Sequence, residues 1–512
     1  MTSSPVSSRP RVPVAVIDIG SNSGRVVVLQ LDRAGHLRLL AGSRSPLRLV
    51  HDVDEKQSLS EESMGRAMEA LRDFDAIARS AGAKRVVAVA TAAMRDAANG
   101  GLFIERIRRE LGIEIAIIGG KEEAHYGFLG AVRGLPVSSG LLFDLGGGSM
   151  QVSHFTRRAL GRATSLPLGA LRLSESFLGS DPPKPSDLRR LRDHVRKHLK
   201  RAHVSRLAVG EQLVGTGGTL RNLAKIDRNA RHYPIGRLHG YVFPAERLRR
   251  LVARLASTRL KKRDTISGLS AERADSIVGG AVAIETLVEI VGASEIVVSG
   301  QGVREGVALN ILGMAVSSPQ EVREASIHSF TLRFQDWQPE PAERRRAVAR
   351  QLLSGIEPRF DPRVAEALDH GARVLDVGRS VDFFDRHEHV ADMLLATELN
   401  GFAHEEIALV AAVLRRAGDR HADPKRLSPL LRPSDHERLE RAAVILALAD
   451  DIEERCPRGV PITLACEVAR EVKISVAELP AWRPRELAQR FEKAFGRPLV
   501  VRLGLGTVKS RR

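Results

Sequence analysis

Two short loops in the first 150 residues combine a carboxylate with groups that can hold phosphate. In Asp18-Ile19-Gly20-Ser21-Asn22-Ser23, Asp18 ends an apolar run beside amide N–H groups free to bind oxyanions. The side chains of Ser21, Asn22 and Ser23 add further donors. Asp144-Leu145-Gly146-Gly147-Gly148-Ser149 has the same design, with three glycines that allow close backbone approach. Two such loops facing one cleft would grip adjacent phosphates. Because Asp18 and Asp144 would repel bare phosphate, a cation is needed between them, and an all-oxygen ligand set suits magnesium. Gly215-Thr216-Gly217-Gly218-Thr219 and Ser299-Gly300-Gln301-Gly302 each follow a strand and precede a helical stretch, where free amides favour anions. Singly these are ordinary strand-to-helix turns; four at comparable places read as a phosphate-binding cleft. Gly119-Gly120-Lys121-Glu122-Glu123-Ala124 opens a helix with two adjacent carboxylates, only one of which can face that cleft. Acidic residues in a first turn are also ordinary partners of the helix dipole, so spacing leaves both readings open.

The elements that must carry these loops read as a repeat. An apolar run from Val12, a polar turn and Arg25–Leu31 predict a hairpin, Leu37–Ala41 a third strand, and Ser60–Ser80 a helix with a capping signal. Strands follow at Val86–Ala90 and Ile113–Ile118. The run Leu142-Phe143-Asp144-Leu145 then repeats Val16-Ile17-Asp18-Ile19, which predicts two related α/β domains facing each other. Strands at Glu211–Val214 and Glu295–Ser299 continue the second. The stretch Lys184–Arg206 keeps an apolar stripe of Leu188, Leu191, Val195 and Leu199, with basic residues crowding its other faces. A solvated helix face is the plainer reading, and a polyanion track the sharper one. The polar segment Ala315–Arg323 reads as a linker, Pro339–Asp451 as helical, and Pro461–Gly504 as strand, helix and strand.

The chain has 512 residues, 43% hydrophobic and 28% charged, which excludes both a single core and a disordered chain. Its 79 basic against 62 acidic residues leave a net charge of +17, which favours polyanionic partners without choosing among them. Two cysteines, Cys456 and Cys466, make neither a disulfide scaffold nor a four-thiolate zinc site, so both are expected free in a reducing compartment. The first ten residues lack the apolar core of a signal peptide, and no stretch approaches the roughly 20 apolar residues of a membrane span. A cytoplasmic location is expected.

Taken in order, Asp18 to Ser23, Thr91 with Arg95, Gly120 to Ala124, Asp144 to Ser149, Leu166-Pro167-Leu168-Gly169 and Gly215 to Thr219 resemble the exopolyphosphatase/guanosine pentaphosphate phosphohydrolase (Ppx/GppA) family. The resemblance spans roughly Val14 to Gly313. It implies an α/β protein with two actin-like ATPase (ribonuclease H-like) domains around a cleft, at residues 11–134 and 135–314. A degenerate, all-helical HD-like domain at 324–455 and a small α/β tail at 456–512 would follow. It also implies hydrolysis of terminal phosphoanhydride bonds in inorganic polyphosphate or guanosine pentaphosphate, with Mg2+. Glu123 would then be the base that activates water, Asp144, with Asp18, a magnesium carboxylate, and Arg95 a phosphate-binding arginine. Gly20 to Ser23, Gly146 to Ser149 and Gly215 to Thr219 would bind phosphate. A homodimer is expected, and neither membrane nor nucleic acid as a partner.

Two departures stand out. Where the family usually continues Gly-Gly-Gly-Ser-Thr-Glu, this chain has Met150 and Gln151 after Ser149, so a carboxylate becomes a neutral amide. An alternative follows, a polyphosphate- or alarmone-binding regulator with impaired turnover; a kinase is disfavoured by Glu123. In the helical domain Leu375 precedes Asp376 where an HD hydrolase has histidine, and Ala417 stands where another histidine is expected. Metal chemistry is therefore not expected there.

Overall fold

The computed structural model describes residues 12–49, 52–53, 57–418, 426–477, 479 and 482–504. The described residues up to 326, apart from 234–236, form one compact unit; 234–236 and the described residues from 327 onward form another.

The first unit is built on two sheets. In the first sheet the strands are β1 (Val14–Ile19), β2 (Ser23–Leu31), β3 (Leu37–Pro46), β4 (Arg85–Ala90) and β5 (Ile115–Ile117), in the order β3-β2-β1-β4-β5. In the second they are β6 (Gly140–Leu145), β7 (Met150–Thr156), β8 (Ala159–Leu166), β9 (Gln212–Thr216), β10 (Tyr241–Pro244) and β11 (Glu295–Val298), in the order β10-β11-β9-β6-β7-β8. In each, a three-strand antiparallel meander runs into parallel strands. The hairpins align residue for residue: Asp18 pairs with Arg25 in β2, and Asp144 with Gln151 in β7.

Helices α1 (Glu61–Ser80) and α2 (Gly100–Leu111) cover one face of the first sheet, packing Phe74 and Phe103 against Ile17, Ile19 and Val26. Helix α3 (Gly120–Arg133) covers the other, with α7 (Val303–Ile311) crossing it. Between those two in sequence lie α4 (Pro185–Arg201), α5 (Gly218–Ala230) and α6 (Ile277–Val291), whose apolar sides join the core under the second sheet. The α3–α7 crossing is unusually close: a Cβ on Gly130 would strike the Gly302 carbonyl, and one on Gly306 the Tyr126 carbonyl.

The segment read as a linker is helical from Pro319, where α8 (Pro319–Thr331) starts. Ser318 accepts from Glu321 N–H while Glu321 bonds back to Ser318 N–H, a capping box that the polar composition concealed.

In the second unit, α9 (Pro339–Ile356), α10 (Pro362–Val374), α11 (Arg386–Ala396), α12 (His404–Gly418) and α13 (Asp435–Arg455) pack as a bundle. The tail differs from the expected strand, helix and strand. Before α14 (Arg485–Phe495) come two strands, β12 (Leu464–Val468) and β13 (Val472–Val476), and β14 (Leu499–Leu503) pairs with β13 in parallel. The turn joining β12 to β13, Ala469-Arg470-Glu471, carries no glycine, proline or asparagine to mark it. Neither Cys456 nor Cys466 is in a disulfide.

Candidate active site

Strand alternation delivers both aspartates to one place. On β1, Val14 and Val16 enter the core beneath α3 and α7 while Ile17 and Ile19 enter the core beneath α1, so Asp18 falls on the α3 side. On β6, Leu142 packs with Phe128, Ala131 and Val132 of α3, and Asp144 shares its parity. Helix α3 thus lies between the sheets, with its N-terminus beside the strand ends that carry Asp18 and Asp144.

The loops that follow these aspartates close alike, with Gly20 N–H on Ser23 O at 3.2 Å and Gly146 N–H on Ser149 O at 2.9 Å. They face each other closely enough that a Cβ on Gly147 would stand 3.0 Å from the Asn22 Cβ. Ala170 and Leu171 donate to the carbonyls of Gly146 and Gly147 at 2.9 and 3.0 Å, so the Leu166 to Gly169 turn ties the second loop to the next helix. Gly217, at φ +99, turns the third loop into α5, a conformation that an L side chain would strain. Thr216 Oγ1 donates to Gln301 O at 2.9 Å, joining the third loop to the fourth.

The adjacent glutamates divide their work. Glu122 Oε2 accepts the Gly119 N–H at 2.9 Å and caps the helix from an exposed position. Glu123 is buried, lines the cleft, and its Oε2 has no hydrogen-bond partner. Burial first, then the Asp144 and Asp18 carboxylates, push its pKa up to about 8, while Arg95 opposes them. Asp144 is raised to about 6, mainly by burial, with the Arg221 guanidinium holding it down. Asp18 is also raised by burial against the pull of Arg304 and Arg25.

The cleft has a volume of about 110 Å3. Asp18, Gly20, Ser21, Asn22, Ser23, Glu123, Asp144, Gly146, Gly147, Gly148, Ser149, Gln151, Thr216, Gly217 and Gly218 all reach it. Three candidates do not line it. Arg95 bonds the Ile118 carbonyl at 3.1 Å and lies 3.5 Å from Asp96, since its short helix sets it beside Glu123 rather than in the wall. Gly215 packs against Phe143 and Leu220, and Thr219 is buried facing Gly280.

Four arginines that the motifs did not single out complete the wall: Arg25, Arg221, Arg273 and Arg304. Burial, and then repulsion from Arg221, Arg304, Arg44 and Arg273, push Arg25 down to about 8. Arg273 is lowered to about 10 by burial and by Arg44 and Arg221. So much positive charge gathered out of water calls for an anionic ligand. One signal was available, because pairing each hairpin outward from its loop puts Arg25 beside Asp18. In the second hairpin the corresponding residue is Gln151, whose Nε2 donates to Ser149 Oγ at 2.8 Å and Ser165 Oγ at 3.2 Å.

Among the described residues no group of three or more His, Cys, Asp or Glu side chains is disposed to hold a metal by itself. Asp18 and Asp144, which both line the cleft, would suit a magnesium ion that took its remaining ligands from substrate oxygens and water.

The basic helix α4 lies apart from the cleft-lining residues, and several of its arginines are paired: Arg192 with Glu285 at 2.9 Å, Arg196 with Glu289 at 3.0 Å and Arg190 with Asp187 at 3.1 Å. No residue of α4 lines the cleft, which favours the solvated face over the polyanion track. In the second unit Asp376 is held by Arg345 at 2.8 Å and Arg379 at 2.8 Å. The fully buried Arg345 also meets Asp450 at 2.7 Å. A guanidinium thus already neutralises the carboxylates there.

Comparison with known proteins agrees with this geometry. Residues 27–315 match the Ppx/GppA phosphatase family, and residues 322–467 match domain III of Ppx/GppA phosphatases. The chain is 30% identical to exopolyphosphatase 1 of Mycobacterium bovis over 320 residues, 62% of this chain and 93% of the relative. It is 31% identical to exopolyphosphatase 2 of Mycobacterium tuberculosis over 316 residues, 59% of this chain and 98% of the relative. A crystal structure of an exopolyphosphatase from Cytophaga hutchinsonii superposes with a TM-score of 0.55 at 27% identity, covering 60% of this chain and all of that one. The Aquifex aeolicus Ppx/GppA family member gives 0.52 at 28% identity, covering 59% and 97%.

Proposed function

The chain belongs to the Ppx/GppA phosphatase family and is a phosphoanhydride hydrolase of the actin-like ATPase fold, and on that premise we propose that it releases orthophosphate from the ends of inorganic polyphosphate. The observation that carries this reading is Glu123: a buried carboxylate with an open oxygen, in one cleft with two aspartates and two phosphate-sized loops.

In the proposed reaction the terminal phosphoryl group sits between the loops at Gly20 to Ser23 and Gly146 to Ser149, whose N–H and hydroxyl groups donate to its oxygens. Glu123 takes a proton from a water molecule as the water oxygen bonds to the terminal phosphorus. The bridging P–O bond breaks, its electron pair leaves with the shortened chain, and orthophosphate is the product. Arg25, Arg221, Arg273 and Arg304 neutralise charge on the substrate, which is most of what such a transfer asks of a protein. Asp18 and Asp144 would hold a magnesium ion, which when bound supplies further neutralisation of the phosphate oxygens. Ionised Glu123 is required to take the proton, and Arg95, whose positive charge lowers its pKa, favours that form.

Polyphosphate is preferred to guanosine pentaphosphate because the described residues lining the cleft include no aromatic side chain on which a base could stack. Among the described residues no helix is long and apolar enough to cross a membrane. The test is phosphate release by the full chain from long-chain polyphosphate and from guanosine pentaphosphate, with magnesium and with chelator. Magnesium-dependent release from polyphosphate supports the reading. Binding of polyphosphate without release would favour the regulator instead, with Gln151 satisfied by Ser149 and Ser165 as its structural basis.

A further inference from the structure

The strand register sets three charged residues in a row leading away from the cleft floor. Asp18 on β1 pairs with Arg25 on β2, and Arg25 pairs with Arg44 on β3. Paired residues on neighbouring strands project from the same face, about 4.8 Å apart. Asp18 and Arg25 line the cleft, and Arg44 is the next step outward. Its charge reaches Arg25, Arg221 and Arg273, depressing all three.

Arg44 meets a carboxylate from the second sheet's half of the unit: its Nη2 lies 2.6 Å from Glu272 Oε2. Beside it Arg48 Nη2 lies 3.0 Å from Asp275 Oδ2. Both carboxylates flank Arg273, which is buried in the cleft wall. Arg48 is also fixed to the first phosphate loop, since its N–H and that of Leu47 donate to Asn22 O at 3.0 Å. Two acidic side chains therefore sit on arginines adjoining a cleft built for anions.

We propose that Arg44 and Arg48 form an outer subsite for the phosphoryl groups of a linear polyphosphate chain beyond those held in the cleft, and that Glu272 and Asp275 occupy this subsite until the chain displaces them. A carboxylate and a phosphoryl oxygen make the same charge-assisted bond to a guanidinium, so exchange costs little. The row runs outward, so a chain long enough to reach Arg44 gains contacts that a short one lacks. The subsite confers preference for long chains, and it rests on the polyphosphate reading above.

Binding, not turnover, is the decisive readout, so a silent catalyst would sink the hydrolase reading without touching the subsite. Calorimetric titration of the full chain compares long-chain polyphosphate with tripolyphosphate. Arg44→Gln should weaken long-chain binding about tenfold and flatten its salt dependence, and should change tripolyphosphate binding less than about twofold. Glu272→Gln should move the other way, tightening long-chain binding several-fold, a gain that misfolding cannot mimic. Equal weakening of both substrates in Arg44→Gln, no tightening in Glu272→Gln, or no binding of the long chain to the natural protein would overturn the proposal.

Discussion

At the scale of single residues, the burial that raises the pKa of Glu123, the proposed base, also costs the fold stability. Exchanging it for glutamine removes proton acceptance while keeping its shape, and should lower phosphate release on the order of 10²-fold or more with little effect on binding. The same change alters stability with a definite sign. The folded pKa stands at about 8 against an ordinary 4.5, so the fold favours the protonated form. The stability from that proton is complete below pH 4.5 and is lost as pH rises through 8. Without divalent cations, Glu123→Gln should therefore melt above the natural protein at pH 8, with the gap closing toward pH 4.5; thermal denaturation across that range checks it. Gln151 gives a second test. Ser149 and Ser165 can turn their hydroxyls to donate to a carboxylate, so Gln151→Glu is accommodated and adds negative charge beside Asp144. It should lower the magnesium concentration for half-maximal phosphate release, and an unchanged requirement in a magnesium titration counts against this role. Asp18, Asp144 and the glycine loops were legible from type and spacing, because a carboxylate before a glycine turn is a local pattern. Arg221, Arg273 and Arg304 were not, since each is an ordinary basic residue until the tertiary fold brings it into the cleft, whereas Arg25 could be reached only by pairing the first hairpin outward from its loop.

At the scale of elements, α3 joins the two halves of the candidate site. It packs against both sheets, carries Glu123 at its start, and crosses α7 through Gly130 and Gly306. Gly130→Ala would push a methyl into backbone that cannot yield, so separating the helices should cost about 1–3 kcal/mol and shift Glu123 from the loops. A lower melting temperature together with reduced kcat is expected, and a normal kcat would contradict the positional role of this crossing. The repeat of β1–β2 in β6–β7 was readable because both copies keep hydrophobic, Asp, hydrophobic, Gly. The β12–β13 turn was not, as Ala469-Arg470-Glu471 holds no turn-marking residue, and neither was the start of α8, whose cap chemistry sits within a polar run. In the helical unit, the leucine beside Asp376 argued against metal chemistry but could not reveal Arg345, which lies 31 residues away in the chain. Asp376→Asn weakens one of the charged contacts of Arg345, which keeps Asp450, and should cost about 1–3 kcal/mol, seen as a lower denaturation midpoint, with phosphate release per folded molecule unchanged.

At the scale of the whole molecule, the excess of 17 positive charges does not mark one helix as the substrate track. Composition pointed to a polyanion, but α4 contributes no residue to the cleft, which gathers four arginines around three carboxylates. The groups suited to phosphate therefore gather where two copies of one supersecondary unit face each other. The central claim is that this cleft cleaves the ends of polyphosphate with Glu123 as base. It is tested most directly by orthophosphate release from long-chain polyphosphate, measured for the natural protein and for Glu123→Gln at saturating magnesium. The account predicts steady release by the natural protein, abolished by chelator, and a loss of about 10²-fold or more in the variant that still binds polyphosphate. No release by the natural protein, or equal release by both, would contradict it.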